Sequence, residues 1–494
     1  LLPRSELGRK VLGKARPRSL EEFRETVPLT TYGDYLPFLI EKREDVLPEK
    51  PYIWMRTSGR SGYYKVKWLP FTRRQFAGCG RGTVAGFVQG AANRKGEMNI
   101  KEGDIVLHTL APPPYPTGAL VGPSIEQEFP VRFIPPLAEG ARMSFQERAA
   151  TGLRMAMREG IQLFIGLPTV LLRVAEMISG ETDEPRPKRQ VSAMLHPAVM
   201  WRMLGGVIKS KVAGRPLYPR DLWQPKAIVL GATDSQTYAA SIEKYWGRRP
   251  MDFYAATETG TIACTNWVPD SMSFLPDQNF LEFIPEAEVT KSQADPLYHP
   301  RTLLLDEVTP GIYELVITNF YGGVLMRYRM GDLLRIVSTR NDKLGIDHPQ
   351  MLFHARADDI IDVGGFAKVN EKTILLALAD AKVPVQDWVV AREIDESKPR
   401  LHLYLETKGN QQHKSADLAE AIHISLGKVD QDYKDMEDML RIKGLKVTLL
   451  QRGTFMKYTA EKEAQGADLA HYKPARMKPT KEQLDKLLSM STKS

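Results

Sequence analysis

The sequence predicts an α/β protein with a large N-terminal domain, built on mixed β-sheet flanked by helices, and a smaller C-terminal α+β domain. Three observations predict it. The chain has 494 residues, more than one ordinary core fills. Between about residues 104 and 230, short apolar runs alternate with amphipathic helical stretches, the pattern of a parallel or mixed sheet covered on both faces. Beyond residue 356 the order becomes helix, hairpin, helices, strand, a compact unit of conventional domain size. The expected domains are 1–355 and 356–494.

Composition narrows the partners. Hydrophobic residues make up 43% and charged residues 26%, as in soluble globular proteins. Lys and Arg number 68 against 60 Asp and Glu, a net charge of +8. The charges are interspersed, so no nucleic-acid-binding stripe is expected. An anionic small ligand accounts for the excess. Cys79 and Cys264 are the only cysteines, too few for a disulfide framework or a zinc site. With no secretory h-region visible, a reducing, cytoplasmic compartment is expected. No run approaches the roughly 18 apolar residues of a membrane span. The first residue is Leu1, not Met, which leaves the native N-terminus open.

In order, residues 1–50 read as helices broken by prolines, with Ser19 as an N-cap. The apolar run 52–55 leads into Arg56-Thr57-Ser58-Gly59-Arg60-Ser61-Gly62-Tyr63-Tyr64-Lys65, and an alternating run follows to Pro70: strand, loop, strand. Glycines let such a loop wrap closely round a ligand, its N–H groups form an anion nest, and Lys65 supplies positive charge. A solvated Ser/Gly turn has the same composition. Residues 73–93 contain Gly80-Arg81-Gly82-Thr83-Val84-Ala85, which fits G-x-G-x-x-A. No buried strand precedes it, so it reads as a helix packing through its glycines.

Strand 104–110 runs into the Pro-rich stretch 112–118, whose Tyr115 either walls a pocket or merely stiffens a connection. Strand-like 131–134, helical 145–158, strand 161–166, helical 169–178 and strand 226–230 continue the alternation. Ligands of such sheets sit at the carboxyl ends of strands. There lie Leu230-Gly231-Ala232-Thr233, small enough to admit a flat ring, and Tyr254-Ala255-Ala256-Thr257-Glu258. Glu258 is placed to hold Mg²⁺ beside phosphates, or to act as a solvated or capping acid. Residues 311–337 read as two strands around a turn at 321–323. Asp332 follows Gly331 in what reads as a strand-connecting loop, free to bond a ribose diol or its own backbone.

Arg356-Ala357-Asp358-Asp359 forms a polar knot before a new strand and Gly364-Gly365. Helix 370–381, hairpin 388–393 with 401–406, helices 416–428 and 430–441, strand 445–450 and a helical tail complete the chain.

In this order the motifs resemble the adenylate-forming superfamily, most nearly the GH3 acyl acid amido synthetases, with phenylacetate-CoA ligases as the nearest alternative. Thr57-Ser58-Gly59-Arg60-Ser61-Gly62 with Lys65 is similar to the GH3 phosphate loop S-S-G-T-S-G with its trailing lysine. Tyr254–Glu258 resembles Y-x-x-(S/T)-E, Tyr328-Arg329-Met330-Gly331-Asp332 resembles Y-R-x-G-D, and Arg356–Asp359 resembles the R-x-D-D hinge. Arg452-Gly453-Thr454-Phe455, Gln465-Gly466-Ala467 and Tyr472-Lys473-Pro474-Ala475-Arg476 are similar to the GH3 ending. Two departures stand out: Arg60 in place of a small residue, and Gly364-Gly365, which is more like the CoA ligases.

The resemblance implies ATP-dependent activation of a carboxylic acid as acyl-adenylate, then transfer to an amine or, alternatively, to the thiol of CoA. A non-catalytic nucleotide or acyl binder is a third reading, against which the intact motifs argue. The resemblance assigns Mg²⁺ to Glu258 and the phosphates to Thr57, Ser58, Gly59, Ser61, Gly62 and Lys65. Gly231, Ala232 and Tyr254 take the adenine and Asp332 the ribose; Thr257 and Arg356, the latter at the hinge, belong to the same cofactor-binding set. Lys473, with Lys478 as rival, reaches in from a mobile C-terminal domain as the catalytic lysine. Monomer and homodimer both remain open.

Overall fold

The computed structural model describes residues 2–57, 67–180, 197–230, 235–268, 270–295, 297–363, 367–395, 398–409, 414–431, 433–434, 445–465 and 475–492. These form two compact units, divided between His354 and Ala355. Among the described residues, no helix is long and apolar enough to cross a membrane.

In the first unit, β1 (Ile53–Arg56) and β2 (Trp68–Phe71) pair antiparallel, with Arg56 opposite Trp68. Twelve further strands form one sheet: β3 (Ile105–His108), β4 (Arg132–Ile134), β5 (Leu163–Gly166), β6 (Ala227–Leu230), β7 (Met251–Ala256), β8 (Gly260–Cys264), β9 (Met272–Phe274), β10 (Asn279–Pro285), β11 (Leu303–Leu304), β12 (Gly311–Asn319), β13 (Tyr328–Ser338) and β14 (Gln350–Arg356). Their order is β11-β10-β12-β13-β14-β9-β8-β7-β6-β5-β3-β4. From β4 to β7 the neighbours run parallel; β7 with β8, β8 with β9, β9 with β14, and the pairs from β13 to β11 run antiparallel.

The parallel part explains the continuous apolar runs. Every residue of β3, β5 and β6 is buried, as a sheet covered on both faces requires. Alternate side chains feed two cores. Val106, Leu163, Ile165 and Val229 join Phe87 and Phe133 on one face. Ile105, Leu107, Phe164, Ile228 and Leu230 join Trp223 and Trp246 on the other.

The G-x-G-x-x-A stretch lies in the helix Arg73–Ala91, whose N-cap Thr72 accepts from the Gln75 N–H. Its glycines are spacers: a Cβ on Gly86 would stand 2.3 Å from the Phe253 ring, and one on Gly90 would stand 1.4 Å from the Met251 sulfur. The helix therefore lies directly against β7. Helices at Thr117–Val121 with Gly122–Glu128, at Pro197–Val212 and at Ser235–Trp246 were not expected from the sequence. The first opens among prolines, and the second carries the Gly205-Gly206 pair and four β-branched residues, all unfavourable local signals that tertiary packing overrides.

In the second unit, β15 (Ile361–Val363) pairs β16 (Ala367–Val369). β17 (Val385–Asp395) and β18 (Lys398–Thr407) form the hairpin, with β19 (Leu445–Leu449) parallel to β18. Asn370 caps the helix Glu371–Asp380 through the Thr373 N–H. One sheet face packs Trp388, Val390, Leu401, Leu403 and Leu405 against Ile374, Leu378, Ile422 and Leu426. The other packs Val389 and Tyr404 against Phe455, Tyr458 and Leu487 of the helices Thr454–Ala464 and Lys481–Thr492. Glu406 accepts from the Gly453 and Phe455 N–H groups at 2.6 and 2.9 Å, so the Gly-Thr-Phe motif opens a capped helix. Most of the expected helix 430–441 lies outside the described residues.

Candidate functional site

The site grows from the carboxyl end of β7, where parallel strands give way to an antiparallel hairpin. Thr257, Glu258 and Thr259 turn the chain between β7 and β8. Two buried asparagines hold that turn: Asn319 donates to the Glu258 carbonyl at 2.9 Å, and Asn279 to the Thr259 carbonyl at 3.1 Å. Neither asparagine was singled out from the sequence, where a lone Asn looks like any turn former. Glu258 is thereby fixed in a buried position, its side chain 9% exposed.

Glu258 meets a lysine. Lys67 Nζ stands 3.2 Å from its Oε1 and 3.0 Å from the Tyr328 hydroxyl, which it bonds as donor. Thr57 anchors Lys67 by backbone: its N–H donates to the Lys67 carbonyl at 2.9 Å, and its Oγ1 accepts from the Lys67 N–H at 3.2 Å. Sequence reasoning named Lys65 and did not name Lys67, although the alternating run 65–70 contains both. Ser58, Gly59, Ser61, Gly62 and Lys65 lie outside the described residues, as do Gly231, Ala232 and Lys473.

The second link joins Tyr254 on β7 to Asp332 on β13, hydroxyl to Oδ2, at 2.8 Å. The two strands stand four places apart in the sheet order. In a flat sheet that is about 19 Å, beyond any tyrosine's reach. The sheet therefore curls, bringing the Y-x-x-T-E and Y-R-x-G-D stretches together at two points. Phe353 of β14 lies against the Tyr254 ring, centroids 5.9 Å apart.

Asp332 corrects the sequence reading. It does not sit in a strand-connecting loop; it is buried within β13. Opposite, Glu314 pairs Leu333 and Val316 pairs Arg329, so one residue of β12 faces three of β13. Gly331, at φ +70°, supplies the left-handed conformation of this bulge. The ladder opens locally and aims Asp332 at Tyr254, which a loop prediction mistakes for the end of the strand.

The Pro-rich stretch 112–118 closes in on the β1–β2 hairpin. Arg56 donates from its backbone to the Pro114 carbonyl at 3.1 Å and from its guanidinium to the Tyr115 hydroxyl. Behind it, the fully buried Arg148 donates to the carbonyls of Leu110, Gly140 and Met143. His108 Nε2–H donates to the Pro135 carbonyl at 2.7 Å while Nδ1 accepts from the Leu110 N–H. Burial, with Arg148 adding repulsion, pushes His108 down to about 4, so the ring is neutral and serves as a strut.

Among the described residues there is no cluster of three or more His, Cys, Asp or Glu able to cage a metal. One carboxylate plus substrate phosphate oxygens is the usual way a protein holds Mg²⁺, and Glu258 fits that arrangement. In the second unit, Arg356 ends β14 and precedes a single helical turn, Ala357–Asp359. Arg476 there bonds Glu371 at 3.0 Å and Asp387 at 3.1 Å, anchoring the chain three residues beyond Lys473. Lys478 has φ +48°, and its N–H donates to the Val390 carbonyl at 3.0 Å.

Solved structures share this architecture. The AtGH3.15 acyl acid amido synthetase in complex with 2,4-DB matches at TM-score 0.67 and 16% identity, over 100% of this chain and 91% of that one. A 2-hydroxyisobutyryl-CoA ligase in the postadenylation state matches at TM-score 0.59 and 15% identity, over 93% and 88%. The fold is shared with these two ligases, a large mixed-sheet domain and a C-terminal domain. Residues 272–356 match the GH3 family central domain, and 369–482 the GH3 family C-terminal domain. The jasmonoyl–L-amino acid synthetase JAR4 of Nicotiana attenuata is 29% identical over 212 residues, 41% of this chain. That match spans about a third of the relative's length, 34%. The central and C-terminal parts of the chain thus match the domains of the GH3 family.

Proposed function

We propose that this chain is an ATP-dependent amide-forming ligase that joins a carboxylic acid to an amino acid through an acyl-adenylate. The observation that carries the reading is the double link between two motif stretches: Glu258–Lys67–Tyr328 and Tyr254–Asp332. Two anions, an acid and a triphosphate, react slowly in water, and the enzyme must supply charge neutralisation and position. In this reading Thr57, Ser58, Gly59, Ser61, Gly62 and Lys65, joined by Lys67, hold the β- and γ-phosphates. Gly231, Ala232 and Tyr254 line the adenine, Thr257 belongs to the same nucleotide site, and Asp332 bonds the ribose hydroxyls. Glu258 holds Mg²⁺, which when bound neutralises phosphate charge.

The acid's oxygen attacks the α-phosphorus and pyrophosphate leaves; the amine nitrogen then attacks the acyl carbon and AMP leaves. Lys473, or its rival Lys478, brings an ammonium to the first step from the C-terminal domain, 356–494, which moves on the Arg356–Asp359 hinge. An amino acid is proposed as acceptor ahead of CoA because the GH3 relatives named above are, by name, a jasmonoyl–L-amino acid synthetase and an acyl acid amido synthetase.

The test measures the half-reactions separately. Pyrophosphate release with a panel of acids should need ATP and Mg²⁺, and product should form with an amino acid and not with CoA. Lys473→Ala should stop adenylation and spare transfer from pre-made acyl-AMP. Thioester formation would overturn the acceptor, and equal loss of both steps would make Lys473 structural.

A further inference from the structure

Away from this site, the helix Pro197–Val212 turns its apolar side to water. Val199, Gly206 and Ser210 are buried on its inner side, and Arg202 donates to the carbonyls of Ala156 and Met157 on the adjoining helix Phe145–Glu159. Its outer side carries Met200, Trp201, Leu204, Ile208 and Val212, 52 to 85% exposed. At about 100° per residue these five fall in one stripe roughly 120° wide and about 18 Å long. Single exposed apolar residues need no explanation, but a contiguous stripe with an exposed tryptophan does.

The charge is one-sided as well. Residues 197–220 contain no Asp or Glu and five bases: Arg202, Lys209, Lys211, Arg215 and Arg220. Arg215 is paired with Asp221. Lys209 and Lys211 are exposed within and beside the stripe, while the adjoining helix carries exposed Arg154 and Arg158 balanced by exposed Glu147 and Glu159.

We propose that this face docks on an anionic lipid surface, the helix lying in the plane of the interface. Trp201, Leu204 and Ile208 enter among the acyl chains while Lys209 and Lys211 meet lipid phosphates. Charge complementarity selects this occupant: two copies meeting through the same face would bring like charges together. An apolar stripe with tryptophan, edged by lysines, is the composition of interfacial helices, and long lysine stems reach from it to headgroups. The inference stands independently of the ligase reading.

The test sediments the full chain with vesicles of phosphatidylcholine alone and of phosphatidylcholine containing about one-third phosphatidylserine, a surface that attracts basic side chains. The chain should bind the anionic vesicles, less at high salt. Trp201→Ser with Ile208→Ser, and separately Lys209→Glu with Lys211→Glu, should each lower partitioning roughly tenfold or more. Circular dichroism unchanged from the parent confirms that these exposed substitutions leave the fold alone. Binding equal on both vesicle types, binding unaffected by the variants, or no binding at all would overturn the proposal. A dimer that dissociates on Trp201→Ser, without vesicle binding, would assign the face to a second copy of the chain.

Discussion

Arg327 and Tyr328 are neighbours, yet they belong to two buried ion pairs of different kinds. Arg327 Nε and Nη2 grip both oxygens of Glu282 at 3.1 and 2.9 Å. Its Nη1 donates to the Val27 carbonyl at 2.7 Å, and Thr302 donates to Glu282 at 2.7 Å. Arg329 likewise takes both oxygens of Glu314. At Tyr328 the geometry is sparer: one Lys67 ammonium reaches one oxygen of Glu258 at 3.2 Å. A bidentate pair with its remaining donors and acceptors matched has nothing to offer a ligand, and it locks strands together. A single contact from a flexible lysine can be re-partitioned when an anion arrives. Strut and socket differ here in saturation, not in burial.

The largest expected effect tests the strut. Arg327→Met leaves Glu282 charged, buried and uncompensated, at a cost of about 3–5 kcal/mol in unfolding free energy. Lys67→Met should cost clearly less in the same urea titration. Equal losses would erase the distinction. Next, Glu258→Gln removes a charge but almost no volume, so pyrophosphate release should fall roughly 10²–10³-fold with the unfolding midpoint little moved. Near-parental turnover at ordinary Mg²⁺ would count decisively against the socket.

His108 offers a pH test of a third solution, a buried base kept neutral. Its folded value, about 4, lies below the ordinary 6.5. The neutral ring's contribution is therefore fully present above pH 6.5 and is lost as pH falls toward 4, up to about 3 kcal/mol. Unfolding free energy measured across that window should slope accordingly, and His108→Gln should flatten the slope. The smallest effects belong to the Tyr254–Asp332 link. Asp332→Ala should weaken ATP binding by about 1.5–3 kcal/mol, and Tyr254→Phe by about 0.5–1.5 kcal/mol. Calorimetric titration with ATP showing no change for Asp332→Ala would reduce that residue to a bulge former.

Much of this was legible beforehand, for physical reasons. Buried parallel strands announce themselves as apolar runs, so β3, β5 and β6 could be read directly. The glycines of Arg73–Ala91 were readable as packing because no strand precedes them. Side-chain partners were not readable where they depend on sheet curvature. No local pattern says that β7 and β13, four places apart, meet through Tyr254 and Asp332. That Lys67 is buried against Glu258 depends on depth, which period two does not encode. Asn319 holds Glu258 from 61 residues onward and Asn279 holds Thr259 from 20 residues onward, distances that no window spans.

The bulge at Gly331 constrains how this gene segment can drift. Three residues, Met330 to Asp332, stand where the partner strand has one, an excess of two. Two is even, so Leu333 onward keeps the facing it would have without the bulge. Deleting a single residue makes the excess odd and turns the rest of the strand over, sending exposed Arg335 inward. Insertions and deletions here are therefore tolerated in pairs or not at all. Length at this point is inherited in steps of two.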